Sequence, residues 1–162
     1  MEQLDAWSEF NVAMVGATAA LAGLVIVAAS VNIGDIIKTA SLTARLAASI
    51  AGLVLALTVS AVGLFPGIDP LPYGVAVIVL AAAASAFQMH ATRRILQNRT
   101  PENRLRWAKS AVGFAAPVAY VIGGALVATG DAQGLAWCGI GSIVAVMAAL
   151  LVSWIVLVEV LR

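Results

Sequence analysis

The chain contains few of the residues from which an enzyme or a metal site is built. Among its 162 residues there is one cysteine, Cys138, and one histidine, His90. A disulfide within the chain is therefore excluded, as is any metal site that needs two histidines or several thiolates. The sequence also has no phosphate-binding loop and no paired-aspartate motif. We expect no enzymatic activity and no bound cofactor or metal.

Charged residues are also scarce, and the apolar stretches are nearly free of them. Lys, Arg, Asp and Glu make up 10% of the chain. Proton-coupled carriers, voltage sensors and ion pumps usually hold an ionisable side chain at membrane depth. The nearest such group is His90, which the spans drawn below put close to a membrane interface. Transport driven by a buried charge is therefore not expected.

Apolar sequence is what the chain has in abundance, because 62% of its residues are hydrophobic. A helix needs about 20 apolar residues to cross the hydrocarbon core of a bilayer. We predict five such stretches, numbered spans one to five, at about 10–32, 44–66, 72–92, 108–129 and 135–158. The predicted fold is an all-α, polytopic membrane bundle of five transmembrane helices, which forms a single transmembrane domain over 1–162.

The basic residues lie on one side of the membrane once these spans are drawn. All nine lysines and arginines fall there, and the opposite side carries none. Basic residues close to span ends resist translocation, so this side is predicted to be cytoplasmic. The N-terminus is then outside and the C-terminus inside. The basic residues are Lys38, Arg45, Arg93, Arg94, Arg99, Arg104, Arg106, Lys109 and Arg162.

Most of this basic charge is concentrated between spans three and four, in a segment at about 91–109 that we call the basic tip. We predict that span three continues to about Leu96 and that span four begins near Pro101, with Thr100 as its N-cap. The tip would contact anionic lipid heads or an acidic partner protein, or it would only enforce topology. Nucleic-acid binding is not expected, because the tip has no fold of its own. Its basic residues are Arg93, Arg94, Arg99, Arg104, Arg106 and Lys109.

Span one is the most patterned segment, and one of its faces is built from small residues. Gly16, Ala20 and Gly23 share this face at helical spacing. Small residues let two backbones approach closely, which is how membrane helices gain packing where lipid provides no hydrophobic drive. We predict that this face, the small-residue face, packs against another helix.

The opposite face of span one, the polar face, carries Asn11, Thr18, Val25 and Asn32, spaced by seven residues. Polar groups that face hydrocarbon are unfavourable, so this face should be covered by protein or water. A helix covered on both faces would lie either in the middle of one bundle or around the axis of an oligomer. At an oligomer axis the polar face could line a pore, with Val25 as an apolar constriction. In the alternative interpretation it belongs to a packed core, where its asparagines form hydrogen bonds near the span ends.

Turn residues indicate where the spans are separated. Pro66, Pro70 and Pro72 remove backbone donors and restrict the residues before them, so the connection between spans two and three is predicted to be non-helical up to residue 72. Gly130 is suited to the C-cap of span four.

Span four contains Pro117, which should bend the helix and free a carbonyl group. Tyr120 follows three residues later and needs a partner for its hydroxyl if it is buried. Gly123 and Gly124 come next. A broken helix of this kind can build a binding site at the membrane midplane, as in many transporters. The alternative is an ordinary proline in a membrane helix.

Aromatic and small residues form a pattern from residue 7 to residue 32. The residues of this pattern are Trp7, Phe10, Val12, Ala13, Gly16, Ala17, Ala19, Ala20, Leu21, Gly23, Leu24, Ser30, Val31 and Asn32. In this pattern the chain resembles a family of small bacterial multi-pass membrane proteins of actinobacterial type. The resemblance implies the bacterial inner (plasma) membrane and implies no activity.

Two functions of different class fit the sequence. The first is a non-enzymatic scaffold or accessory subunit of a membrane assembly, which oligomerises or docks through span one. The second is a small homo-oligomeric channel or transporter in which span one lines the pathway. The lack of buried charge favours the first, and the two-faced first span favours the second. The expected partners are the lipid bilayer, further copies of the chain or a larger membrane complex, and anionic lipids at the cytoplasmic face.

Overall fold

The computed structural model describes residues 2–97 and 106–160, and these ranges contain helices and turns only. Side chains are described for residues 4–93, 113–156 and 158. Spans one to five correspond to α2, α4, α5, α6 and α7. The helices are α1 (Glu2–Asp5), α2 (Ser8–Val31), α3 (Ile33–Ile36), α4 (Ala40–Val62), α5 (Pro70–Gln97), α6 (Arg106–Ala128) and α7 (Gln133–Val160).

The long helices form a bundle, which confirms the predicted all-α class. α5 packs between α4 and α6, and α7 packs on both α6 and α4. α2 packs on α4 and makes a small contact with α7. Buried side chains form one cluster around Tyr73, Val77 and Tyr120, and a second cluster around Ile36 and Leu53.

Four helices in the described residues are long and apolar enough to cross a membrane. They are Ser8–Val31, Ala40–Val62, Pro70–Arg93 within α5, and Gln133–Val156 within α7. In α6 the described apolar stretch, Gly113–Ala128, is shorter. Large apolar side chains also point outward from the bundle, as expected of a surface that contacts lipid. The chain therefore has the features of a membrane protein, and the fifth crossing remains a prediction.

The two ends of the bundle differ in the charge that the sequence assigns to them. Arg45, Ala91, Gly113 and Ile155 line one cavity, so the helix ends next to the basic residues meet at one end, the basic end. Trp7 and Leu135 line a second cavity at the other end, the acidic end, close to the turns that hold Asp69 and Asp131. Which end faces the cytoplasm remains a prediction.

The prolines between α4 and α5 lie partly inside α5 and not wholly before it. α5 begins at Pro70, so the prediction of a non-helical segment up to residue 72 was wrong. Pro70 and Pro72 are tolerated because the N–H groups of a first helical turn have no intrahelical acceptor. Of the three prolines only Pro66 lies in the turn, next to Gly67 with φ of +69°.

Gly130 ends α6 as the sequence predicts. Its φ is +85°, a left-handed conformation that glycine adopts without steric penalty. Its N–H donates to Val127 O at 2.9 Å, and the N–H of Asp131 donates to Leu126 O at 2.9 Å. These two bonds form a Schellman motif, which satisfies carbonyls that the helix end leaves without partners.

The connection between α2 and α4 contains a helical turn that the sequence pattern did not predict. This turn, α3, buries Ile36, which is 1% exposed. Thr43 Oγ1 donates to Ile36 O at 3.0 Å and ties α3 to the first turn of α4. Lys38 pairs with Asp35 at 2.7 Å on the exposed side, where such a pair contributes little to stability.

Glycines allow α6 to contact two helices at backbone distance. A Cβ built on Gly124 would lie 2.8 Å from Gly74 O in α5. A Cβ built on Gly123 would lie 2.8 Å from Gly134 O and 2.7 Å from Cys138 Sγ in α7. Gly123 and Gly124 therefore serve packing on two sides of α6, which is one continuous helix through Pro117.

Candidate functional site

The polar face of α2 is the part of this helix that the bundle covers. Asn11, Thr18 and Val25 are the buried residues of α2, and Thr18 is 0% exposed. Their spacing of seven residues returns to nearly the same direction on a helix of 3.6 residues per turn. Asn32 follows the helix as its C-terminal cap residue and is half-buried.

Local hydrogen bonds satisfy the side chains of Thr18 and Ser30 in α2 and of Asn32 just after it. Thr18 Oγ1 donates to Met14 O at 2.6 Å, and Asn32 Nδ2 donates to Ala28 O at 3.0 Å. Ser30 Oγ donates to Ile26 O at 2.8 Å. These back-bonds lower the penalty for placing hydroxyl and amide groups in an apolar setting. Neighbouring helices therefore do not need to supply hydrogen-bond partners for these side chains.

The small-residue face of α2 is open. Gly16, Ala20 and Gly23 are all exposed, and a Cβ built on either glycine meets no atom within 4 Å. Gly16 lies about 160° around the helix axis from Thr18, and Gly23 about 140°. α2 therefore presents its small residues on the side directly away from α4.

α2 lies at the edge of the bundle. Of the two placements that the sequence left open, the middle of a single five-helix bundle is not adopted, because among the described helices α2 packs mainly on α4 and makes a small contact with α7. One main neighbouring helix can cover only one face of α2. The chain by itself therefore buries the polar face and leaves the small-residue face uncovered. The placement of α2 at an oligomer axis stays a prediction.

The basic tip falls largely beyond what the structure describes. Arg93 is exposed near the end of α5. α5 extends to Gln97, which agrees with the predicted extension of span three to about Leu96. Thr100 and Pro101, predicted to begin span four, lie outside the described residues. So do Arg99 and Arg104, as do the side chains of Arg94, Arg106 and Lys109.

A cluster of buried polar side chains at the acidic end was not predicted as a group. Tyr120 Oη and Ser142 Oγ lie 2.8 Å apart, so Tyr120 has the partner that its burial requires. Ser142 Oγ also donates to Cys138 O at 3.1 Å. Tyr73 and Cys138 both line the small cavity beside this pair. These four residues join α5, α6 and α7.

Next to this cluster, Asn11 of α2 and Ser60 of α4 line a cavity of about 10 Å³ together with Tyr73 and Ser142. Ser60 Oγ is buried and has no hydrogen-bond partner among the described residues. The polar walls and the size of the cavity suit one water molecule. The sequence contained a signal for this cluster, namely hydroxyl-bearing residues near the ends of several spans, but no spacing rule links residues on three helices.

The chemistry available in these sites is hydrogen bonding and close packing. No group of three or more His, Cys, Asp or Glu side chains that could hold a metal ion occurs in the parts of the chain that the structure describes. No family model, curated protein or solved structure matches the chain. The resemblance seen in span one stays a prediction.

Proposed function

We propose that this protein is a non-enzymatic integral membrane protein that acts by association, as an oligomerising scaffold or an accessory subunit of a membrane assembly. The observation that carries the proposal is the open small-residue face of α2, where Gly16, Ala20 and Gly23 are exposed. In lipid, a face of this kind is favourable for a second helix because the two backbones can approach closely.

The buried face of α2 supports this proposal because its contacts fix the orientation of the helix on the bundle. Val25 packs in the cluster with Ile36 and Leu53, so one side of the helix is held against the bundle. A helix held in this way presents its opposite face in one orientation, which lowers the ordering cost of association. A second copy of the chain is the partner that we propose, because two such faces are self-complementary in a symmetric dimer.

A homo-oligomeric channel lined by α2 is the alternative function. It receives less support, because Asn11, Thr18 and Val25 pack against the chain's own helices. Conduction along this face would require α2 to separate from α4. Solute flux in liposomes that changes with Val25→Ser would favour the channel.

The small-residue face yields a direct test of association. The double variant Gly16→Leu/Gly23→Leu should weaken self-association in bilayers by at least about tenfold, equal to ~1.4 kcal/mol. The added side chains hold the backbones apart, and a Cβ at either position meets no atom of the monomer within 4 Å. Energy transfer between labelled copies, titrated against the lipid-to-protein ratio, measures the change.

The matched control for this test is Ala17→Leu, which makes the same kind of small-to-large change at an exposed position of α2 off the small-residue face. Ala17 lies about 100° around the helix from Gly16. The control should associate as the wild type does. A wild-type protein that is monomeric in bilayers, or a double variant that associates equally well, would contradict the proposal.

We further propose that the chain lies in a bacterial inner membrane with its basic end in the cytoplasm, where the tip meets anionic lipid heads. Asp131 lies in the exposed turn at the acidic end, and Lys38 is exposed near the basic end. In a Cys138→Ala background, Asp131→Cys should react with a membrane-impermeant maleimide on intact cells. Lys38→Cys should react only after lysis.

Both positions should react in detergent, which controls for intrinsic reactivity. Labelling of Lys38→Cys but not Asp131→Cys on intact cells would reverse the proposed orientation.

A further inference from the structure

A cavity of about 280 Å³ lies within the basic half of the bundle. α4, α5, α6 and α7 all contribute to its wall, and α2 does not. Protein interiors are otherwise packed to the density of organic crystals. Ordinary ligand pockets begin at about 300 Å³, so this cavity is close to their lower limit of size.

The cavity exists because alanine and glycine occupy the positions where the four helices face one another. Small side chains leave space that larger ones would fill, and the surrounding helices are held apart by their other contacts. Most of the wall is formed by apolar side chains. The small residues of the wall include Ala48 and Gly52 in α4, Ala84 in α5, Gly113 in α6, and Ala145 and Ala148 in α7.

A buried amide faces this cavity. Gln88 is 9% exposed, and it belongs to the wall of the cavity. Its side chain lies against Gly113, where a Cβ would coincide with the amide. A glutamine amide has two N–H donors and an acceptor oxygen, so Gln88 is suited to bind a polar group of a ligand.

Two further polar residues line the same cavity. Ser49 Oγ donates to Leu46 O at 2.8 Å and keeps its lone pairs as acceptors. Arg45, one turn nearer the start of α4, also contributes to the wall. A guanidinium has five N–H donors, so it can bind a carboxylate in addition to another partner. No acidic residue is among the described residues of the wall.

We propose that this cavity binds a fatty acid, with its single hydrocarbon chain among the alanines and its carboxylate at Arg45 and the Gln88 amide. A hydrocarbon chain that leaves lipid for an apolar cavity gains little, because both surroundings are apolar. The affinity and the selectivity must therefore come from the polar head. A phospholipid with two chains is too large for the space. The proposal goes beyond association through α2 and does not depend on it.

The test uses the full-length protein in nanodiscs of neutral phosphatidylcholine, with radiolabelled dodecanoate as the probe. Binding should saturate at one molecule per chain, and dodecanol should fail to compete because it lacks the charge. Gln88→Leu should weaken binding about fivefold, the range of one lost hydrogen bond. Arg45→Gln should weaken it at least about tenfold, because that bond is charge-assisted.

A filling variant tests the place of binding. Ala145→Leu puts a larger side chain into the wall and should abolish binding, whereas Ala86→Leu, at an exposed position of α5 outside this wall, should leave it unchanged. Equal binding of dodecanol and dodecanoate, or full binding by Ala145→Leu, overturns the proposal. If Arg45→Gln does not fold, unchanged binding by Gln88→Leu still overturns it. Association through α2 is measured separately and can fail or hold on its own.

Discussion

Replacing Gly124 by leucine should lower the free energy of unfolding by about 3 kcal/mol, at the upper end of overpacking costs. The first atom of the new side chain would lie 2.8 Å from Gly74 O and 2.9 Å from Ile78 Cγ1. The first of these is backbone, which cannot rotate away, so α5 and α6 must move apart. Equilibrium unfolding in mixed detergent micelles, followed by helicity and by tryptophan fluorescence, measures the loss.

The matched control is Gly52→Leu. Gly52 lies in α4 and borders the cavity of about 280 Å³, and a Cβ there meets no atom within 4 Å. Leucine also has a higher helix propensity than glycine, by somewhat under 1 kcal/mol. Gly52→Leu should therefore be neutral or slightly stabilising. Equal losses at both glycines would show that α5 and α6 are not in backbone contact.

Truncating Tyr120 to alanine should lower the free energy of unfolding by about 3–5 kcal/mol, as for other large aromatic side chains in a core. Tyr120 is 0% exposed, and its ring packs where a Cβ on Gly141 would be only 3.1 Å away. Its removal leaves a cavity at the meeting point of α6 and α7. The same unfolding assay applies.

Tyr120→Phe separates the ring from the hydroxyl. It removes only the bond to Ser142, at 2.8 Å, and should lower the free energy of unfolding by about 1 kcal/mol. The cost stays small because Ser142 Oγ keeps its bond to Cys138 O. A phenylalanine variant as unstable as the alanine variant would contradict the assignment of most of the energy to ring packing.

The course of the helices could be predicted from composition and local turn chemistry. Runs of apolar residues predict helices of membrane length, and Gly130 predicts the end of α6 through its left-handed conformation. The same local logic failed at Pro70 and Pro72. A proline is unfavourable in the interior of a helix but suits its first turn, and the sequence alone did not separate these two cases at Pro70 and Pro72.

The candidate sites were predictable in part. The spacing of Asn11, Thr18 and Val25 defines one face of α2 at the sequence level, because seven residues are close to two helical turns. The sequence of α2 does not specify which helix covers that face. The cavity around Gln88 was missed because its wall comes from four helices, and an alanine has no distinguishing mark in an apolar sequence.

The sequence by itself determined the helical class, the approximate extent of the long helices and the positions of the basic residues along the chain. These follow from local properties, namely hydrophobicity, helix caps and the positions of Lys and Arg. Only the tertiary structure decided that α2 lies at the edge with its small residues open, and that Gly123 and Gly124 bring α6 against two neighbours. Contacts between helices depend on the shapes of both surfaces at once, and in an apolar chain many pairs of surfaces are chemically alike.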